Sequence, residues 1–79
     1  MEKIVYVFKW EDQNPRFATY IAVENGIGTE EAIGTPERLA GPIMDLMSQG
    51  YQIILDRMPN GKRAKINIKT KMDLGALLA

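Results

Sequence analysis

Six basic residues and no acidic one lie between positions 57 and 71: Arg57, Lys62, Arg63, Lys65, Lys69 and Lys71. Within this run, KRAKINIK alternates strictly, with Ala64, Ile66 and Ile68 on one side and Arg63, Lys65, Asn67 and Lys69 on the other. Same-face residues of a strand are about 6.6 Å apart, close to the per-nucleotide spacing of an extended single strand. Such a row suits phosphate. It would track a single-stranded nucleic acid or hold a nucleotide, with Arg63, Lys65 and Lys69 as the contact row and Arg57, Lys62 and Lys71 in support. The same pattern also serves as a solvated face, or as a charged edge that keeps a sheet from aggregating. Exposed aromatic rings would strengthen the nucleic-acid reading by stacking bases. The candidates Tyr6, Trp10, Tyr20 and Tyr51 mostly alternate onto the face assigned to the core.

The second set of reactive types is acidic. Glu30, Glu31 and Glu37 lie close in sequence and would hold Mg²⁺ through waters if the fold gathered them. Acids near a helix start are, however, expected from the helix dipole alone. The same stretch, IGTEEAIGTPER (27–38), repeats the word Ile-Gly-Thr. Glycine loops bind phosphate by aiming backbone N–H groups at it from a helix N-terminus. Here Pro36 removes one such donor and Glu37 adds a negative charge, and neither GxGxxG nor the P-loop pattern is present.

Catalysis at neutral pH usually draws on histidine, cysteine or an activated serine, lysine or carboxylate. The chain has no histidine and no cysteine, and Ser48 stands alone near a helix end. These absences exclude disulfides and the commonest metal ligands. The expectation is therefore a protein that is not an enzyme and that carries no cofactor and no metal.

The elements that must position these residues are legible. KIVYVFKW (3–10) reads as a strand, with Ile4, Tyr6, Phe8 and Trp10 on one face, taken as the core face, and Lys3, Val5, Val7 and Lys9 on the other. After the polar turn EDQNP, residues 16–24 form a second strand with Phe17, Thr19, Ile21 and Val23 together. Asn25-Gly26 is a type I′ turn signal, so residues 27–33 return as a third strand at an edge, or as an irregular loop.

Thr35-Pro36-Glu37 starts a helix, and Leu39, Ile43, Leu46 and Met47 form its apolar stripe. Gly50 ends it, with Tyr51 packing back on Leu46. Pro42 either kinks this helix or marks where its regular part begins. Residues 51–58 form a strand apolar on both faces at Ile53-Ile54-Leu55. Pro59-Asn60-Gly61 turns the chain into residues 62–69, and MDLGALLA (72–79) is an apolar tail that packs on the sheet or on a partner subunit.

The sum is β-β-(β)-α-β-β: an α+β fold with a small antiparallel sheet of four to five strands and one helix packed across one face. Residues 1–79 make a single domain. A chain this short buries only about 60% of its unfolded surface and needs help to be stable. With disulfides and metals excluded, oligomerisation is the help that remains. One helix also leaves Val5, Val7 and part of 53–55 uncovered, which again suggests a dimer or higher homo-oligomer.

No apolar run nears the roughly 20 residues of a membrane span, and the N-terminus is too charged for a signal peptide. A soluble cytoplasmic protein is expected. Net charge is zero, yet residues 1–56 hold four basic against nine acidic residues, so the neutral total conceals a basic strip. The functional expectation is a non-catalytic binding module contacting a phosphate-containing ligand through the basic hairpin. The alternative is a protein–protein module, such as a small phage-type inhibitor or accessory subunit, using an exposed sheet face or an edge strand.

Overall fold

Asn25 and Gly26 both have positive φ, 53° and 81°, as the two central positions of a type I′ hairpin turn require. The computed structural model describes residues 2–10, 17–57, 64–70, 73 and 75. The turn joins β2 (Phe17–Glu24) to β3 (Ile27–Gly34), and β2 also pairs antiparallel with β1 (Lys3–Trp10). Then follow α1 (Pro36–Ser48), β4 (Gln52–Arg57) and β5 (Ala64–Ile68), which pairs antiparallel with β4. The sheet order is β3-β2-β1-β4-β5. This is the expected α+β fold, one helix on five strands. The sheet is mixed, because β1 and β4 run parallel. Residues 27–34 are a regular strand at the edge of the sheet, and no loop replaces them.

Helix α1 is delimited by its own residues. Thr35 is extended (φ −73°, ψ 151°), and its hydroxyl accepts from the Arg38 N–H at 3.4 Å. Pro36 occupies the first turn, where its missing donor costs nothing. At the other end Gly50 has φ +94°. Its N–H donates to the Met47 carbonyl, and that of Tyr51 to the Leu46 carbonyl, both at 3.1 Å. These two bonds are the Schellman stop, and Tyr51 packs on the core as expected. Pro42 lies inside the continuous helix and neither starts nor ends it. Both Pro42 and Arg38, whose carbonyl loses its helical donor, are exposed, so the proline lies on the solvent side of the helix.

The core lies between α1 and one face of the sheet. Leu39, Ile43 and Leu46 of the helix meet Val5, Val7, Ala18, Tyr20, Ala22, Ile53, Leu55 and Ile68. Here the expected assignment of faces is reversed for β1. Val5 and Val7 are fully buried under the helix, while Ile4, Tyr6 and Phe8 lie half-buried on the second face. Likewise Ala18, Tyr20 and Ala22 of β2 face the helix, and Phe17, Thr19, Ile21 and Val23 do not. Alternation identifies the two faces of a strand but not which one a helix covers when both are apolar. The register decides it: Val5 stands beside Ala22 and Ile53, and Val7 beside Tyr20 and Leu55. Small Ala18 and Ala22 leave room for α1 beside these valines.

Lys9, on the helix side, and Asp56, on the second face, are buried and both have partners. A charge held in the interior without a partner would be strongly unfavourable. The expected turns at 11–15 and 59–61, and the packing of Leu74, Leu77 and Leu78, lie outside the described residues.

Two single substitutions probe α1 in opposite directions. Pro42→Ala restores a helical hydrogen bond and should raise stability by about 1–3 kcal/mol. Gly50→Ala puts a side chain at positive φ and should lower it by about 1 kcal/mol. Each 1 kcal/mol corresponds to roughly 4–8 °C in Tm for a domain of this size, so thermal unfolding followed by circular dichroism separates them.

Candidate interaction site at the β3 edge

Among the described residues, β3 has a strand neighbour on one side only. Its sequence IGTEEAIG alternates, and the pairing with β2 assigns its faces. Ala32 stands opposite Tyr20 on the helix side; Ile33 opposite Thr19 and Glu31 opposite Ile21 belong to the second face. The register slips between Ala22 and Val23, leaving Thr29 as the extra residue of a bulge. The Thr29 hydroxyl donates to the Ala22 carbonyl at 3.3 Å, which ties the bulge to β2. Ile27 and Ile33, near the two ends of β3, are 70% and 72% exposed, the most exposed large apolar side chains among the described residues. Two hollows open to solvent run along the strand. One, of about 380 Å³, is lined by Ile21, Gly28, Thr29, Glu30 and Glu31; the other, of about 350 Å³, by Thr19, Glu31, Ala32 and Ile33.

Two glutamates charge this edge, and they have different roles. Glu30 sits on the helix side and accepts a hydrogen bond from the Tyr20 hydroxyl. Burial, and then the bond to Glu30 and its negative charge, push the Tyr20 hydroxyl up to about 12. Glu31, on the other face, is exposed and borders both hollows. Glu37 is exposed in the first turn of α1. Strand alternation thus splits Glu30 from Glu31, and no group of three or more metal-ligating side chains forms among the described residues. The doubled Ile-Gly-Thr resolves into two unrelated pieces, the bulged start of β3 and the N-cap of α1.

Lys65 and Lys69 of the basic run fall at the opposite edge of the sheet, at and just beyond β5. Arg57 closes β4, and Lys65 lies in β5 with Asp56 as its register partner. Asn67 and Lys69 are exposed. The Asp73 carboxylate accepts the N–H groups of Lys69 and Thr70, both at 3.0 Å. Those backbone bonds, that of Lys69 foremost, hold its carboxyl below the usual range. Lys62, Arg63 and Lys71 lie outside the described residues. The structure therefore brings Lys65 and Lys69 to one edge, with Asp56 at the register position opposite Lys65 and Asp73 bonded to the Lys69 backbone, neither of which a one-dimensional charge count registers.

Sequence reasoning missed the Tyr20–Glu30 contact and the exposure of Ile27 and Ile33. A tyrosine between two alanines, Ala18 and Ala22, was the available signal for the first. No helix among the described residues is long and apolar enough to cross a membrane. Compared with protein-family models, with curated proteins and with solved structures, the chain matches none.

Because the folded pKa of Tyr20 lies above the ordinary value of 10, folding favours its protonated form. That contribution is complete below about pH 10 and is lost as pH rises toward 12. Difference absorbance titration of the wild type against Tyr20→Phe should resolve one tyrosine ionising near pH 12. Glu30→Gln should lower that midpoint without restoring 10, since burial is the larger cause. A midpoint unmoved by Glu30→Gln contradicts the contact.

Proposed function

We propose that this chain is a non-catalytic protein-interaction module that receives an extended segment of a partner along the free edge of β3. The observation that carries the reading is the edge itself: an eight-residue strand, paired on one side among the described residues, with Ile27 and Ile33 exposed near its ends. An added strand satisfies the outward N–H and C=O groups of such an edge, and hollows beside it take alternate side chains. The two hollows along β3 suit that second task. Natural edges are commonly blunted by bulges and charge. β3 has a bulge near its start and two glutamates, so it discriminates by charge among the strands that approach it.

A second reading keeps the basic run as a phosphate-recognition strip. Its support is the run of six basic residues without an acid from 57 to 71, of which Lys65 lies in the edge strand β5 and Lys69 just beyond it. Asp56 opposite Lys65 and Asp73 beside Lys69 reduce its local potential, and for that reason the β3 reading ranks first.

The two readings separate by experiment. A photo-crosslinking residue at position 33 should capture a protein partner, whereas the same residue at exposed Asp45 of α1 should not. Equal capture at both positions contradicts recognition at β3. Under the phosphate reading, affinity for single-stranded nucleic acid falls with salt at a log–log slope near −0.7 per phosphate contacted, and Lys65→Glu with Lys69→Glu flattens the slope. Absence of binding at low salt removes that reading.

A further inference from the structure

The two edges of this sheet differ in charge and in direction, and together they specify a partner for β3. The β3 edge carries Glu30 and Glu31 and no basic residue, while β5 carries Lys65, with Lys69 just past its end, and no acid within the strand itself, Asp56 and Asp73 offsetting only part of that charge. Like charges directly opposite across a strand pair are unfavourable, and opposite charges are favourable. β3 therefore resists a second β3, and β5 a second β5. The one self-combination that charge favours is β3 with β5.

Strand direction independently permits this combination. β3 is antiparallel to β2 and β2 to β1, so β3 runs with β1. β4 is parallel to β1 and β5 antiparallel to β4, so β5 runs against β3. A second copy in the same orientation, displaced across the sheet by about five strand spacings of 4.8 Å, presents its β5 antiparallel to β3. The helices of both copies then lie on one side of a continuous sheet. Faces also match: Glu31 and Ile33 belong to the second face, and so do Lys65 and Asn67, the register partners of Asp56 and Ile54.

We infer that β3 binds β5 of a second copy of this chain, in a head-to-tail contact selected by acidic residues on one edge and basic residues on the other. The inference rests on β3 being the interaction edge and names its partner. A head-to-tail contact leaves a free β3 at one end and a free β5 at the other, so assembly continues beyond two copies.

The test uses the full chain in sedimentation velocity over a range of concentrations at low and high salt. The wild type should form species larger than a dimer as concentration rises, with association weakened at 1 M salt, where charges are screened beyond about 3 Å. Two edge variants are compared: Glu31→Lys with Ile33→Lys on β3, and Lys65→Glu with Lys69→Glu at β5. Each alone should weaken self-association by about tenfold or more. Mixed in equal amounts, they should co-assemble beyond a dimer, because the unaltered β3 and β5 attract each other and so do the altered pair, now basic on β3 and acidic on β5. A chain carrying all four substitutions should recover association. Circular dichroism of each variant establishes that it is folded.

A dimer that persists in the β5 variant overturns the inference, since it would be built from β3 alone. A wild type that stays monomeric at every concentration also overturns it. If position 33 still crosslinks to a different protein in that case, β3 remains the interaction edge and only the identity of its partner has failed.

Discussion

The parallel pairing of β1 with β4 organises everything else in this fold. It brings Val5 beside Ile53 and Val7 beside Leu55, four fully buried side chains under Ile43 of the helix. Burying a side chain of this size contributes about 1.5–3 kcal/mol, so these five represent much of what stabilises so small a domain. A parallel pair cannot be joined by a tight turn and needs a long crossover connection. Here β2, β3 and α1 intervene between its strands. The crossover carries the chain from β3, at one edge, to β4 beyond β1, and in doing so lays α1 across the face that carries the valines.

The edges follow from that central pair. Because β2 and β3 extend the sheet on one side of β1, and β4 and β5 on the other, the last strands at each end derive from separate parts of the chain. One part is acidic and one basic. The uneven charge distribution noted in the sequence thereby becomes a difference between two borders of one sheet. It gives the molecule a direction, and the mixed sheet ensures that its opposite borders are antiparallel to each other. An all-antiparallel meander of five strands would have first and last strands running the same way, and a copy in the same orientation would then offer a parallel edge.

Local signals in the sequence were read well because they are set by local chemistry. Asn25-Gly26 supplies two positive φ angles, Thr35-Pro36 caps a helix, and Gly50 ends it, whatever the rest of the chain does. The assignment of faces was lost where the deciding information is not local. In KIVYVFKW both faces are apolar, and which one meets α1 depends on the register with residues 52–57, more than 40 positions away. Pro42 left two readings open, a kink or a start of the regular helix, and the continuous α1 removes the second, with Pro42 and Arg38 both exposed. The basic row was visible in the sequence, but Asp56 and Asp73 beside it were not, since strand pairing and a turn bring them there. The site itself was legible only in part. The edge position of residues 27–33 was anticipated from their glycines and weak apolarity; the exposure of Ile33 required knowing that α1 packs on the opposite face.

The most direct test of the central claim, that the chain associates through unlike edges, is hydrogen exchange by mass spectrometry at increasing protein concentration. Peptides covering β3 and β5 should gain protection together, with one shared midpoint, while exposed amides of α1 remain unchanged. Protection gained by β3 alone, or by neither strand, would contradict it.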